Sequence, residues 1–217
     1  MRSCHASLRG ARNPHVPQYA PVVPLRAPSP TTARYAVHHK NLFALTSLQS
    51  NDFELFDLEQ KFSQDRGVIG ARWKELQREA HPDKFASQGV SAQRIAMQWS
   101  VRINEAYQRL KNPIKRASYL CELSGVPVNA ENNTAMPAEF LMQQIEWREA
   151  LEDAKTVKNL EEIVLRSNEC GNELLLKIEQ AIDGEKNFSQ AVEHIRSLMF
   201  IERFASEVDA RIDQLGQ

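Results

Sequence analysis

The chain has 217 residues and a formal net charge of −1, with 42% hydrophobic and 25% charged residues. That length suits one large or two small domains, and the near-neutral balance gives no overall pull toward nucleic acid or an anionic membrane. No apolar run approaches the ~20 residues that a bilayer-spanning helix needs.

Only 8 glycines are present, and the periodic stretches are rich in Leu, Glu, Gln, Lys, Arg and Ala, a composition that favours helix. No stretch alternates with period two for long enough to suggest a sheet. Cys4, Cys121 and Cys170 are scattered and fit neither a disulfide framework nor a CxxC metal site. Such usage suits a reducing compartment. Cys121 and Cys170 sit in apolar helical surroundings and read as packing residues.

Residues 1–40 differ from the rest. They carry Arg2, Arg9, Arg12, Arg26, Arg34 and Lys40 without any Asp or Glu, and prolines recur at 14, 17, 21, 24, 28 and 30. This basic, Pro-rich extension lacks the apolar periodicity of a core and is expected to be disordered. Its Arg-rich, acid-free composition resembles a transit peptide, although the prolines forbid a long amphipathic helix. The alternative is an extension without function. Cys4, His5, His15, His38 and His39 match no regular metal-ligand spacing.

The folded part opens with a short helix at residues 41–45. A longer helical segment follows from Asp52 to Ala80, interrupted near Gly67 and Gly70, each costing about 1 kcal/mol against alanine in a helix interior. The helix that ends at Ala80 is therefore expected to start between Val68 and Ala71, with Leu58 to Gly70 read as an insertion. His81-Pro82-Asp83-Lys84-Phe85 comes next. Proline cannot continue a helix and biases its predecessor away from helical geometry, so an exposed connection is expected, with an imidazole and a carboxylate at the tip of a helical hairpin. As a bare string the tripeptide is a weak signal. A catalytic His/Asp dyad is one reading, but no nucleophile or third partner lies near it in sequence. Arg72, Lys74 and Arg78 precede the turn on the helix, and Lys84 follows it.

Ser91 is placed as the N-cap of a helix running to Lys111 that carries Ile95, Val101, Ile103, Ala106, Tyr107 and Leu110. Asn112-Pro113 then reads as N-cap and N1 of a short helix, with Gly125 suited to its C-terminal cap. Residues 126–136 are polar and irregular and read as a linker. Pro137 is taken as N1 of the next helix, through Asp153. Two more follow, about Asn159–Asp183 and Phe188–Leu215, with apolar residues at helical spacing. Short connections between three amphipathic helices imply an antiparallel bundle.

On the helix after Pro137, Phe140, Trp147 and Leu151 share one side. Met142, Glu146, Glu149 and Asp153 share another at spacings of three and four, with Leu141 and Ile145 beside them. Periodicity alone favours aliphatics in a core and acids in solvent. The alternative is a docking stripe for a partner with an apolar patch and basic residues.

The HPD loop with its preceding basic helix resembles a J domain. The order HPDKFA, NEAYQRLKNPIKRASYLCELSG and MPAEFLMQQIEWREALED is similar, more narrowly, to the HscB family of J-domain co-chaperones of iron–sulfur cluster assembly, from about residue 41 to the C-terminus. The resemblance implies an all-α fold: residues 1–40 as extension, a J domain over 41–125, a linker over 126–136, and a C-terminal antiparallel three-helix bundle over 137–217.

It also implies a non-enzymatic adaptor without cofactor, resident metal, nucleic-acid or membrane partner. Such an adaptor binds an IscU-type iron–sulfur scaffold, delivers it to an HscA-type chaperone and stimulates that chaperone's ATPase. His81, Pro82, Asp83, Arg72, Lys74, Arg78 and Lys84 correspond to the chaperone-binding surface. Leu141, Met142, Ile145, Glu146, Glu149, Asp153 and Phe200 correspond to the scaffold-binding surface. The CxxC pair of some eukaryotic members is missing. The compartment implied is bacterial cytoplasm, or mitochondrial matrix if the extension is a transit peptide. The alternative function is a general co-chaperone of a DnaK-type chaperone.

Overall fold

The computed structural model describes residues 47–129 and 136–215. The helix expected at 41–45, the calls on residues 1–40 and most of the expected linker lie outside that range. The described residues form helices and connections only: α1 (Asp52–Leu55), α2 (Arg66–Glu79), a 3₁₀ helix (Pro82–Gln88), α3 (Val90–Lys111), α4 (Pro113–Leu123), α5 (Ala138–Asp153), α6 (Val157–Glu179), a π turn (Gln180–Gly184) and α7 (Phe188–Leu215).

The helix before the His-Pro-Asp turn starts earlier than glycine cost suggests. Asp65 caps α2 by accepting hydrogen bonds from the amides of Gly67 and Val68 at 2.6 and 3.1 Å, satisfying donors that a helix start leaves open. A Cβ on Gly67 would stand 3.0 Å from the Asp65 Oδ1, so a larger residue there would displace that carboxylate slightly. The stretch from Leu58 to Gly70 forms a packed connection after α1 and then the first turn of an unbroken α2. Phe62 within it is buried, and its amide and that of Ser63 donate to Asp183 at 2.7 and 2.8 Å.

Other boundaries shift by a residue or two. Gly89, at φ 94°, precedes α3 in place of Ser91, which lies inside the helix. Pro137 is the N-cap of α5 rather than its first residue, and Thr156 caps α6 through the Asn159 amide. Asn112 caps α4 by accepting from the Lys115 amide at 2.9 Å, with Pro113 at the first position. At the far end, the amides of Gly125 and Val126 donate to the carbonyls of Glu122 and Cys121. That pairing is a Schellman closure, and it puts Gly125 at φ 79°.

The antiparallel pair α2–α3 buries Leu76, Ala80, Trp99, Ile103, Ala106 and Leu110. It is cross-tied by polar side chains. Trp73 Nε1 donates to Asn104 Oδ1 at 2.9 Å, and Gln77 donates to the Ser100 carbonyl and to Asn104. Trp73 also stacks on Tyr107 with ring centroids 4.7 Å apart. At the other end of the chain, α5, α6 and α7 form a three-helix bundle with α6 and α7 antiparallel across the π turn. One contiguous core joins both parts, from Phe53 and Leu76 to Phe204 and Val208, because α4 lies on α7.

Two buried charge clusters fix the packing around α4. Asp52 is fully buried and pairs with Arg102 at 2.7 Å and Arg109 at 3.0 Å, while its amide donates to the Tyr119 hydroxyl. Arg102 directs its N–H groups at the carbonyls of Leu48 and Ser50. Arg116, also buried, donates to the carbonyls of Phe62 and Leu110 and lies over the Phe62 ring. Burial pushes its guanidinium down to about 10, with the Asp183 carboxylate opposing the shift.

Candidate functional site

The chain places two separate groups of candidate residues on its surface. The first sits at the tip of the α2–α3 hairpin. Proline at 82 stops α2, and His81 turns the chain: its Nδ1 accepts the Asp83 amide at 3.3 Å, and its carbonyl accepts the Lys84 amide at 3.0 Å. The Asp83 carboxylate stands 3.6 Å from that Nδ1 with its side chain 90% exposed. An imidazole used to hold a turn, beside a carboxylate open to water, forms no enclosed site for a dyad to act in. It is an exposed presentation of one negative charge. Lys84 is exposed beside it, and Pro82 is half-buried.

Of the three candidate basic residues on α2, Lys74 and Arg78 are exposed and four residues apart, hence on one face. Arg72 is different. It is half-buried, donates through Nε to the Phe56 carbonyl at 3.2 Å and pairs with Glu75 at 3.1 Å. Its guanidinium holds α1 against α2 instead of facing out with the other two.

The second group is on α5. Phe140 and Trp147 are buried, and Leu151 packs against the core. Phe140 meets Phe200 edge-on at 5.9 Å, and Trp147 stacks on Phe204 at 5.7 Å, so aromatics on α7 set the rotation of α5. The consequence is that Leu141, Met142 and Ile145 are turned outward, 45%, 64% and 55% exposed. The reading of these aliphatics as core is thereby corrected. Glu146, Glu149 and Asp153 are exposed with them. An apolar stripe kept in water beside three carboxylates is unfavourable unless something covers it.

Phe200 is half-buried, stacked on Phe204 at 6.1 Å and edge-on to Phe140, so only part of its ring faces outward. Sequence reasoning missed a neighbour here. Arg148 lies over the Phe200 ring at 5.6 Å and contacts Glu207 at 3.5 Å, bridging α5 and α7 at the edge of the stripe. Nothing in the spacing of α5 signals this, because the ring and the carboxylate come from a helix more than fifty residues on.

Among the described residues, no group of three or more His, Cys, Asp or Glu is placed to hold a metal ion. No helix among them is long and apolar enough to cross a membrane. Cys121 is buried, and burial pushes its thiol up to about 11.

Comparison with known proteins bears on the chain as a whole. Residues 136–209 match a family model described as the HSCB C-terminal oligomerisation domain. The co-chaperone protein HscB homolog of Burkholderia thailandensis is 45% identical over 174 residues, covering 79% of this chain and 99% of that one. That of Paraburkholderia xenovorans is 44% identical with the same coverage. Among solved structures, chaperone HscB from Vibrio cholerae superposes with a TM-score of 0.66 at 32% identity, covering 76% of this chain and 99% of that chain. The crystal structure of human co-chaperone protein HscB gives a TM-score of 0.71 at 23% identity, covering 76% and 84%, a likeness of fold.

Proposed function

Since the chain belongs to the HscB co-chaperone family, we propose that it is a two-ended adaptor of iron–sulfur cluster assembly: α5 holds an IscU-type scaffold while the His81–Asp83 loop engages an HscA-type chaperone and stimulates its ATPase. The observation that carries the reading is the outward aliphatic stripe of Leu141, Met142 and Ile145, held beside Glu146, Glu149 and Asp153 by aromatics on α7. Such a stripe suits a partner presenting an apolar patch ringed by basic groups. Covering it removes apolar surface from water at roughly 25 cal/mol per Å², and the carboxylates steer the approach and fix its register. The exposed edge of Phe200 completes the face.

At the other end, Lys74, Arg78 and Lys84 hold positive charge at exposed positions on the helix and turn that carry the Asp83 carboxylate. The chaperone surface that accepts them is acidic, with one cation to meet Asp83. Arg72 acts from behind by holding α1 on α2. Carrying the scaffold and the chaperone on one molecule converts client capture into a nearly intramolecular event and raises its effective concentration.

The test is the ATPase rate of an HscA-type chaperone with this protein added, with and without scaffold. Stimulation that grows cooperatively with scaffold is expected. Asp83→Ala is expected to abolish stimulation and leave scaffold binding intact, whereas Leu141→Ala with Met142→Ala does the reverse. Stimulation indifferent to scaffold would replace this reading by a general J-domain co-chaperone.

A further inference from the structure

The face on α5 is small for what it is asked to do. A specific protein interface uses roughly 20–30 residues on each side, while α5 exposes ten residues, six of them in the face named above, and Phe200 adds one. The face must therefore continue, and its direction is set by Phe200, which already carries it from α5 onto α7. The next residue on α7 is Met199, rotated by about 100° around the helix and 38% exposed. Arg203 lies between the two on the same helix, four residues after Met199 and three after Phe200, and is exposed.

Beyond Met199 the surface opens into a groove of about 620 Å³ between α3, α4 and α7. Asn104 and Gln108 of α3 and Ile114, Ser118 and Glu122 of α4 line it, with Met199 on the α7 side. Glu105 and Lys115 also line it, as do Tyr119 and Arg109, both committed to Asp52. It shares with α5 an exposed thioether near carboxylates, here Met199 with Glu105 and Glu122, although Lys115 stands among them and Ile114 is buried. Methionine adapts to irregular partners, and Met142 and Met199 are both exposed.

We propose that the scaffold's seat runs from α5 across Phe200 and Met199 into this groove, so that the scaffold touches the α3–α4 end of the J lobe as well as the C-terminal bundle. The proposal rests on α5 being the scaffold seat. The occupant of the groove is a segment of the IscU-type scaffold bearing an apolar side chain next to a basic one. The bound scaffold then reads the relative placement of both lobes, and a bundle separated from the J lobe loses part of the site.

The experiment is isothermal titration of the full chain with purified, cluster-free IscU-type scaffold. Met199→Gln keeps the length of the side chain and removes its apolar end. Ser118→Trp fills the groove from α4. Leu141→Ala with Met142→Ala marks the α5 face, and the thermal midpoint of each variant controls for folding. Both groove variants are expected to bind about fivefold to tenfold more weakly, as truncated interface anchors do. If the α5 variant loses affinity while Met199→Gln binds within about twofold of the parent protein, the groove is not part of the seat and this proposal fails, with the α5 reading intact. If the α5 variant binds normally, the α5 reading fails and this one with it.

Discussion

Replacing Asp183 by alanine tests whether the connection before α2 is a structural clasp. Asp183 sits in the π turn between α6 and α7, and its two oxygens accept the amides of Phe62 and Ser63, residues 121 and 120 positions earlier. A hydrogen bond to a charged group contributes about 1.5–3 kcal/mol. The Phe62 amide is half-buried and loses most of that value. The Ser63 amide is exposed, so water replaces its partner at little cost. Arg116, donating to the Phe62 carbonyl from a buried position, loses the carboxylate that favours its charge. The sum is about 2–3 kcal/mol, a large part of the 5–15 kcal/mol by which domains are stable. For a chain of this size that is a fall in melting temperature of roughly 4–12 °C. Thermal and urea denaturation of the full chain measure it. Asp183→Asn retains one acceptor oxygen and is expected to lie midway. A melting temperature within about 1 °C of the parent for Asp183→Ala would refute the clasp and return residues 58–65 to the status of a loosely attached loop.

The two sides of α5 should respond oppositely to truncation. Trp147→Ala removes a buried ring stacked on Phe204 and is expected to cost about 3–5 kcal/mol, whereas Leu141→Ser, on the exposed side, should stay within about 0.5 kcal/mol; urea titrations of both settle which face is core. Asp52→Asn leaves Arg102 and Arg109 facing a neutral buried group, and breaking such a pair typically costs about 3–5 kcal/mol, readable as a lower urea midpoint. The Cys121 thiol, held up to about 11 by burial, should react with a thiol reagent at pH 8 only as fast as the chain opens. Because its folded value is raised, the stabilisation linked to it is fully present below the unfolded thiol range and is lost as pH rises toward 11. Fast labelling in native buffer would contradict the burial.

Family likeness, helix content and the outline of both candidate groups can be read from the residues themselves. Proline at 82 must end a helix, Asn112 followed by Pro113 must start one, and Gly125 alone among nearby residues takes a left-handed cap without strain. These are local effects, carried by dihedral limits and by side chains reaching backbone amides two or three positions away. Glycine cost, also local, misplaced the start of α2, because the carboxylate of Asp65 reaching over Gly67 offsets it.

What the residues of α5 do not determine by themselves is which way the helix faces. Phe140, Leu141, Met142, Ile145, Trp147 and Leu151 surround most of its circumference, so periodicity offers no single apolar side. The choice is made by Phe200 and Phe204, which take Phe140 and Trp147 into the core and thereby leave Leu141, Met142 and Ile145 in water. Arg72 is likewise turned inward by the carbonyl that follows α1, and residues 62 and 63 are fastened by a carboxylate about 120 residues further on. Helix caps act over a few residues and leave a mark in sequence; the orientation of a helix is fixed by partners that only the packed fold brings alongside.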